Sequence, residues 1–80
     1  MKTTFDQSFY KSLEKLSDAG LKQKIANIIR EAEVVNEISD IRQIKKMKGY
    51  KYYYRIKLGD YRIGFELKNT DTINFILVSH

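Results

Sequence analysis

The residues best suited to chemistry in this 80-residue chain are three cations, Arg55, Lys57 and Arg62, in the stretch KYYYRIKLGDYRIGFEL from Lys51 to Leu67. They stand on two runs that alternate apolar and polar residues on either side of Gly59-Asp60. A glycine at the first central position suits a type II′ hairpin turn, which requires a positive φ there. Pairing Leu58 with Tyr61 then sets Lys57 opposite Arg62, Ile56 opposite Ile63, Arg55 opposite Gly64, Tyr54 opposite Phe65 and Tyr53 opposite Glu66. Side chains alternate across a strand, so one face is apolar and the other collects Arg55, Lys57 and Arg62. Like charges directly opposite each other destabilise a sheet. Two readings follow: an anion belongs between the cations, or the cations splay into water on a solvated outer face.

A site made of arginine and lysine can act on a phosphodiester, because the transition state carries extra negative charge on its equatorial oxygens and preorganised cations stabilise it. RNA supplies its own nucleophile, the 2′-hydroxyl beside the scissile phosphate, which the protein need only orient and deprotonate. Lys57 is the member of the trio whose amine can act in proton transfer, since arginine keeps its own proton. The same weighing applies to the tyrosines. Tyr53 falls on the basic face, where its ring stacks on an unpaired base or serves as a strand former, whereas Tyr50 and Tyr52 read more simply as strand formers.

Other chemistries lack their residues. With no cysteine, and with His80 as the one histidine, no metal-ligand spacing occurs, and neither a P-loop nor a GxGxxG sequence is present. No metal and no small-molecule cofactor are expected. No apolar run approaches the roughly 18 residues of a membrane span, and the N-terminal stretch lacks the apolar core of a signal peptide. A soluble, cytoplasmic protein without a membrane partner is the expectation. Net charge is +5, and from Arg42 to Arg62 the cations Lys45, Lys46, Lys48, Lys51, Arg55, Lys57 and Arg62 face only Asp60. That clustering favours a polyanionic partner, nucleic acid before membrane, over a merely basic surface.

Eighty residues make one domain of marginal stability, since a chain this short buries only roughly 60% of its unfolded surface. Thr3 to Phe5 reads as a first strand, with Asp6 or Ser8 as an N-cap. Phe9, Leu13 and Leu16 recur at helical spacing toward an end near Ser17, and Asp18-Ala19-Gly20 breaks the helix. A second helix carries Leu21, Ile25, Ile28, Ile29, Ala32 and Val35 on one face, with Asn36 as candidate C-cap. Glu37 to Ile41 is a connection packed through Ile38 and Ile41. Ile44 to Lys48 is a weak strand closed by Gly49, whose Lys45, Lys46 and Lys48 either protect a sheet edge or touch phosphate. Thr72 to Val78 is a strand apolar on both faces, with Ile73, Phe75 and Leu77 on one side and Asn74, Ile76, Val78 and His80 on the other, so it belongs inside the sheet. Helices followed by consecutive strands give an α+β domain, an N-terminal strand and a helical hairpin on one face of a mainly antiparallel sheet. Tyr54, Ile56, Ile63 and Phe65 should then meet Leu13, Ile25 and Ile29, with the trio turned away.

The order of elements, together with IRQIKKMKGYKYYYRIKLGDYRIGFEL and the closing INFILVSH, resembles the RelE/ParE superfamily of bacterial type II toxins, particularly its RelE-like branch. The resemblance spans residues 1–80 as a single toxin domain, and YYRIKLGDYRIGFE is its most specific piece. It implies a compact β-α-α-β-β-β fold related to small microbial ribonucleases, metal-independent cutting of mRNA in the ribosomal A site, and neutralisation by an antitoxin encoded beside it. Arg55 and Lys57 match two basic family residues on one strand, and Arg62 matches the arginine of the family's Y-R dipeptide. His80 stands where the family has a histidine or similar residue, which implies contact with RNA. An arginine and, a few positions later, a tyrosine continue the family pattern, whereas this sequence stops at His80. Absence of that segment leads us to expect weak or lost cleavage by these 80 residues, with the antitoxin site retained. The alternatives are a ParE-like toxin that inhibits a topoisomerase by binding it, which the basic trio disfavours, and a non-catalytic remnant that only binds antitoxin.

Overall fold

A computed structural model describes every residue from Met1 to His80. The elements in order are β1 (Lys2–Phe5), α1 (Gln7–Glu14), α2 (Ala19–Val34), a 3-10 turn (Ile38–Asp40), β2 (Ile44–Lys46), β3 (Tyr53–Leu58), β4 (Tyr61–Lys68) and β5 (Thr72–Ser79). The sheet runs β1-β5-β4-β3-β2, with β1 parallel to β5 and every other pair antiparallel. The expected α+β architecture is therefore present, with the short edge strand β2 added to the strand order that the resemblance implies. A parallel pair needs a long crossover, and here the two helices lie within it.

The hairpin adopts the expected register at all six pairs from Tyr53–Glu66 to Leu58–Tyr61. Gly59 has φ +60° while Asp60 does not have a positive φ, as a type II′ turn demands. The apolar side of the sheet contributes Ile56, Ile63, Phe65, Ile73, Phe75 and Val78 to one core with Phe9, Leu21, Ile25 and Ala32 of the helices. Leu13, Ile29 and Tyr54 are half-buried at its margin. Tyr54 pairs with Lys46, the last residue of β2, and its ring stacks on Phe65 with centroids 5.4 Å apart.

Four local expectations give way. Asp6 flanks α1 but does not cap it: its carboxylate accepts from Asn74 Nδ2 at 3.0 Å, and Ser8 donates to the Ile76 carbonyl at 2.6 Å. α1 ends at Glu14, short of Ser17, where Leu16 N–H closes on the Leu13 carbonyl in a tighter turn. Asp18 is the N-cap of α2, accepting from Leu21 N–H at 3.1 Å, so Ala19 and Gly20 form its first turn and do not break the helix. An aspartate cap contributes about 1 kcal/mol, which offsets the similar cost of a helical glycine. Asn36 is not a C-cap, because α2 gives way to extended backbone already at Val35. Its last carbonyls instead accept from the Met1 ammonium, at 3.3 Å for Ala32 and 2.9 Å for Glu33.

A fifth correction lies in β5, which is flanked by β1 and β4 as expected but does not alternate evenly. Gly64 pairs with Leu77 and Phe65 with Phe75, so Ile76 is the extra residue of a β-bulge. A bulge moves every later side chain to the other face. Val78 is buried in place of Leu77, while Leu77 and Ser79 join the outer face beside Gly64 and Arg62. On β5, Asn74 is buried through bonds from Thr4 Oγ1 at 2.8 Å and to Asp6.

Phe65 and Ile56 are about 0–1% exposed. Replacing either by alanine should cost roughly 2 to 5 kcal/mol, seen in urea unfolding as a lower midpoint at unchanged slope. Asp18→Ala should cost about 1 kcal/mol by the same measurement.

Candidate functional site

The outer face of the sheet, opposite the helices, carries the charge. Lys57 faces Arg62 across β3 and β4, and Lys45 faces Arg55 across β2 and β3. Cβ atoms of directly opposite residues lie about 4.5–5.5 Å apart, and neighbours on one face of a strand about 6.6–6.8 Å apart. Four cations therefore occupy a patch two strand-steps long. Arg55 is half-buried, whereas Lys45, Lys57 and Arg62 are exposed.

No carboxylate neutralises this patch. The ion pairs of the chain are Arg42–Glu31 at 3.8 Å and Lys68–Glu66 at 3.6 Å, neither of which involves the four cations. Among the four, Lys45, Arg55, Lys57 and Arg62 border, with Gln43 and Ile44, an open cavity of about 310 Å³. Gln43 has φ +62°, a left-handed conformation unusual for a residue other than glycine. Its carbonyl accepts from Lys57 N–H at 3.1 Å, which carries the pairing of β2 and β3 one residue further and sets Gln43 at the edge of the cationic patch. Nothing in the periodicity marks Gln43; the connection from Ile41 into β2 brings it there.

The structure places the remaining sequence-derived residues as follows. Lys45 shares the outer face with the trio, whereas its neighbour Lys46 pairs with Tyr54 on the other parity of β3. Lys48 lies in the connection between β2 and β3 and does not border the cationic cavity. Tyr53 is on the outer face, its ring edge-on to Tyr50 with centroids 5.6 Å apart. His80 follows Ser79, the register partner of Arg62, and its ring turns edge-on to Tyr61 at 5.0 Å. No group of three or more His, Cys, Asp or Glu side chains converges to hold a metal ion. No helix is long and apolar enough to cross a membrane.

Four unpaired cations can hold a phosphate from two sides, the arginines by forked hydrogen bonds and the lysines as point charges. Their mutual repulsion is tolerable in the empty site because three of the four side chains are in water, where charges are strongly screened.

Two helices packed on one face of a five-stranded, mainly antiparallel sheet is the fold of solved RelE toxins. Toxin RelE3 of Methanocaldococcus jannaschii is 43% identical over 81 residues, covering 100% of this chain and 90% of that protein. The structural likeness is strong to the crystal structure of the RelB-RelE antitoxin-toxin complex from Methanococcus jannaschii, with TM-score 0.85, 39% identity, and coverage of 96% of this chain and 88% of that one. The intact E. coli RelBE toxin-antitoxin complex shares the fold at TM-score 0.69 and 22% identity, over 98% of this chain and 93% of that one. No family profile matches the chain. On its identity to RelE3 over the whole length, the chain belongs to the RelE family of toxins.

Arg62→Glu should lower the salt concentration at which the protein leaves a heparin column, since it removes a cation and adds an anion to the patch. Unfolding free energy should stay within about 0.5 kcal/mol of the parent, because Arg62 is outside the core.

Proposed function

We propose that this chain is the toxin of a toxin–antitoxin pair, acts in the cytoplasm, and cuts mRNA on the ribosome with its cationic sheet face. The observation that carries the reading is the pairing of Lys57 with Arg62 and of Lys45 with Arg55, four cations with no carboxylate partner. In the reaction the 2′-hydroxyl attacks the adjacent phosphorus, its proton passes to a base, and the 5′-oxygen leaves with a proton. The products are a 2′,3′-cyclic phosphate and a 5′-hydroxyl. Arg55 and Arg62 hold the equatorial oxygens as their charge grows. Lys57 holds the same phosphate and is the member of the trio that can exchange a proton. Lys45, Lys46, Lys48, Tyr53 and His80 would contact flanking RNA, with Lys45 the best placed of them by its register with Arg55.

The test is single-turnover cleavage of mRNA bound to programmed ribosomes, read as the 2′,3′-cyclic phosphate end. A chain extended past His80 with the family's arginine and tyrosine should cut, and the 80 residues alone more slowly. Losing one preorganised electrostatic contact typically costs about 100- to 1,000-fold in rate, or about 2.7 to 4 kcal/mol. Arg62→Ala in the extended chain should lose a factor of that size while its thermal unfolding is unchanged. Lys57→Arg keeps the charge, so an unchanged rate would make Lys57 a phosphate contact and not an acid or base. Growth arrest without any cut on ribosomes would sink the nuclease reading in favour of a toxin that acts by binding another target.

The M. jannaschii relative was crystallised as a RelB-RelE complex. By that kinship we propose a RelB-type antitoxin for this chain, meeting the cationic face with acidic side chains. Complementary charge mainly speeds encounter, so raising salt should slow association more than it speeds dissociation, measured by surface-captured kinetics. Association insensitive to ionic strength would contradict this.

A further inference from the structure

Beside the cationic patch, the outer face continues into a second cavity of different chemistry. It encloses about 290 Å³, and its border includes Met47, Tyr50, Tyr53, Gly64, Ile76 and Leu77 beside Tyr54 and Phe65. Three features build it. Met47 N–H donates to the Tyr53 carbonyl at 2.9 Å, Tyr50 N–H to the Met47 carbonyl at 3.2 Å, and Gly49 takes φ +85°, which brings the Tyr50 ring to Tyr53. The bulge at Ile76 turns Leu77 outward to form the opposite side. Gly64 lies between, leaving bare backbone where any other residue would project a side chain. Tyr50, Tyr53 and Leu77 remain 55%, 37% and 40% exposed, a concentration of large apolar surface on an otherwise charged face.

The neighbouring charge decides the occupant. Gly64 is the cross-strand partner of Arg55, and Arg55 in turn faces Lys45, so the apolar cavity ends where the cationic patch begins. A ligand lying across both must be flat and apolar at one end and anionic a few ångströms away. One nucleotide of a single strand has that form: a base, and a phosphate joined to it through the sugar. Aromatic rings stack on unpaired bases, and every base has a face to offer. Apart from the hydroxyls of Tyr50, Tyr53 and Tyr54, the side chains bordering the cavity carry no strong hydrogen-bonding group, so bases are distinguished chiefly by stacking area and not by their edges.

We propose that this cavity is a slot for one unpaired nucleobase, purine preferred over pyrimidine, next to the phosphate held by Arg55 and Lys45. The proposal rests on the RNA-directed reading above, but it concerns binding, so it can fail separately from cleavage.

The test uses the 80-residue chain and short single-stranded RNAs, 2′-O-methylated to prevent cleavage, with 2-aminopurine placed at each position in turn. Stacking quenches 2-aminopurine, so the parent protein should quench at one position more than at the others. Tyr50→Ala with Tyr53→Ala should abolish the quench at saturating protein and weaken binding about 10- to 100-fold, the range expected for loss of base stacking. Gly64→Val fills the slot and keeps the rings. A Cβ there finds its nearest neighbour, the Leu77 carbonyl oxygen, at an ordinary 3.9 Å, so the fold should hold and the quench should fall. Lys45→Ala should weaken binding but leave the saturating quench intact. Exchanging the slotted purine for a pyrimidine should also weaken the parent's binding and leave the double tyrosine variant's unchanged.

The proposal is overturned if the parent neither binds nor quenches, or if the double tyrosine variant and Gly64→Val quench as the parent does. If those variants keep the RNA signal but lose a RelB-type antitoxin, the cavity anchors a protein side chain and the slot does not exist. Should the quench behave as expected while no ribosomal mRNA is cut, the slot stands and the cleavage reading falls.

Discussion

Gly59 reverses the chain in two residues, and the pairing of Leu58 with Tyr61 that follows fixes what each side of the sheet can be. Strand side chains have a period of two, so a slip of one residue in β3 against β4 would send Ile56 to water and drive Arg55 and Lys57 under the helices. The penalty for burying two unpaired cations and exposing a fully buried isoleucine is comparable to or larger than the few kcal/mol by which a small domain is stable. The hydrophobic pattern thus enforces the register, and the register assembles the charge. Folding and function share this constraint: the outer face is cationic because the inner face is apolar.

The cost of the arrangement falls on the unliganded protein. Lys57 faces Arg62 and Lys45 faces Arg55 with no acid to relieve either pair. Exposure keeps that cost small, and an anion between the pairs would turn repulsion into attraction. The apolar cavity at Tyr50 and Tyr53 extends the same logic, since the bulge that removes Leu77 from the core also supplies a side to a second site. Charge and apolar surface then lie along one strand direction, as a single-stranded polyanion with flat side groups requires.

The hairpin was legible because every signal agreed: alternation, a glycine at the turn and matching apolar residues on both arms. Less was readable where two physical effects competed. Gly20 looked like a break, yet the Asp18 cap and the tertiary packing of Leu21 outweighed its weak propensity. Leu77 followed the strand period until the bulge at Ile76, which depends on the partner strand and leaves no local mark. Gln43 reached the cationic cavity through a left-handed backbone that its residue type does not announce. Tyr50 read as a strand former, and only the closure of the 47–52 connection brings it to Tyr53. Family membership was legible from YYRIKLGDYRIGFE, the same hairpin in which the physical signals were strongest.

If Lys57 and Arg62 act as one cationic unit on a single phosphate, their contributions cannot be independent. A double-mutant cycle of Lys57→Ala and Arg62→Ala in single-turnover cleavage on ribosomes measures this directly. The account predicts that the double variant is little slower than the worse single variant, because removing either residue already dismantles the unit. Rate losses that simply multiply would show two cations working on separate groups, and the shared anion between β3 and β4 would have to be abandoned.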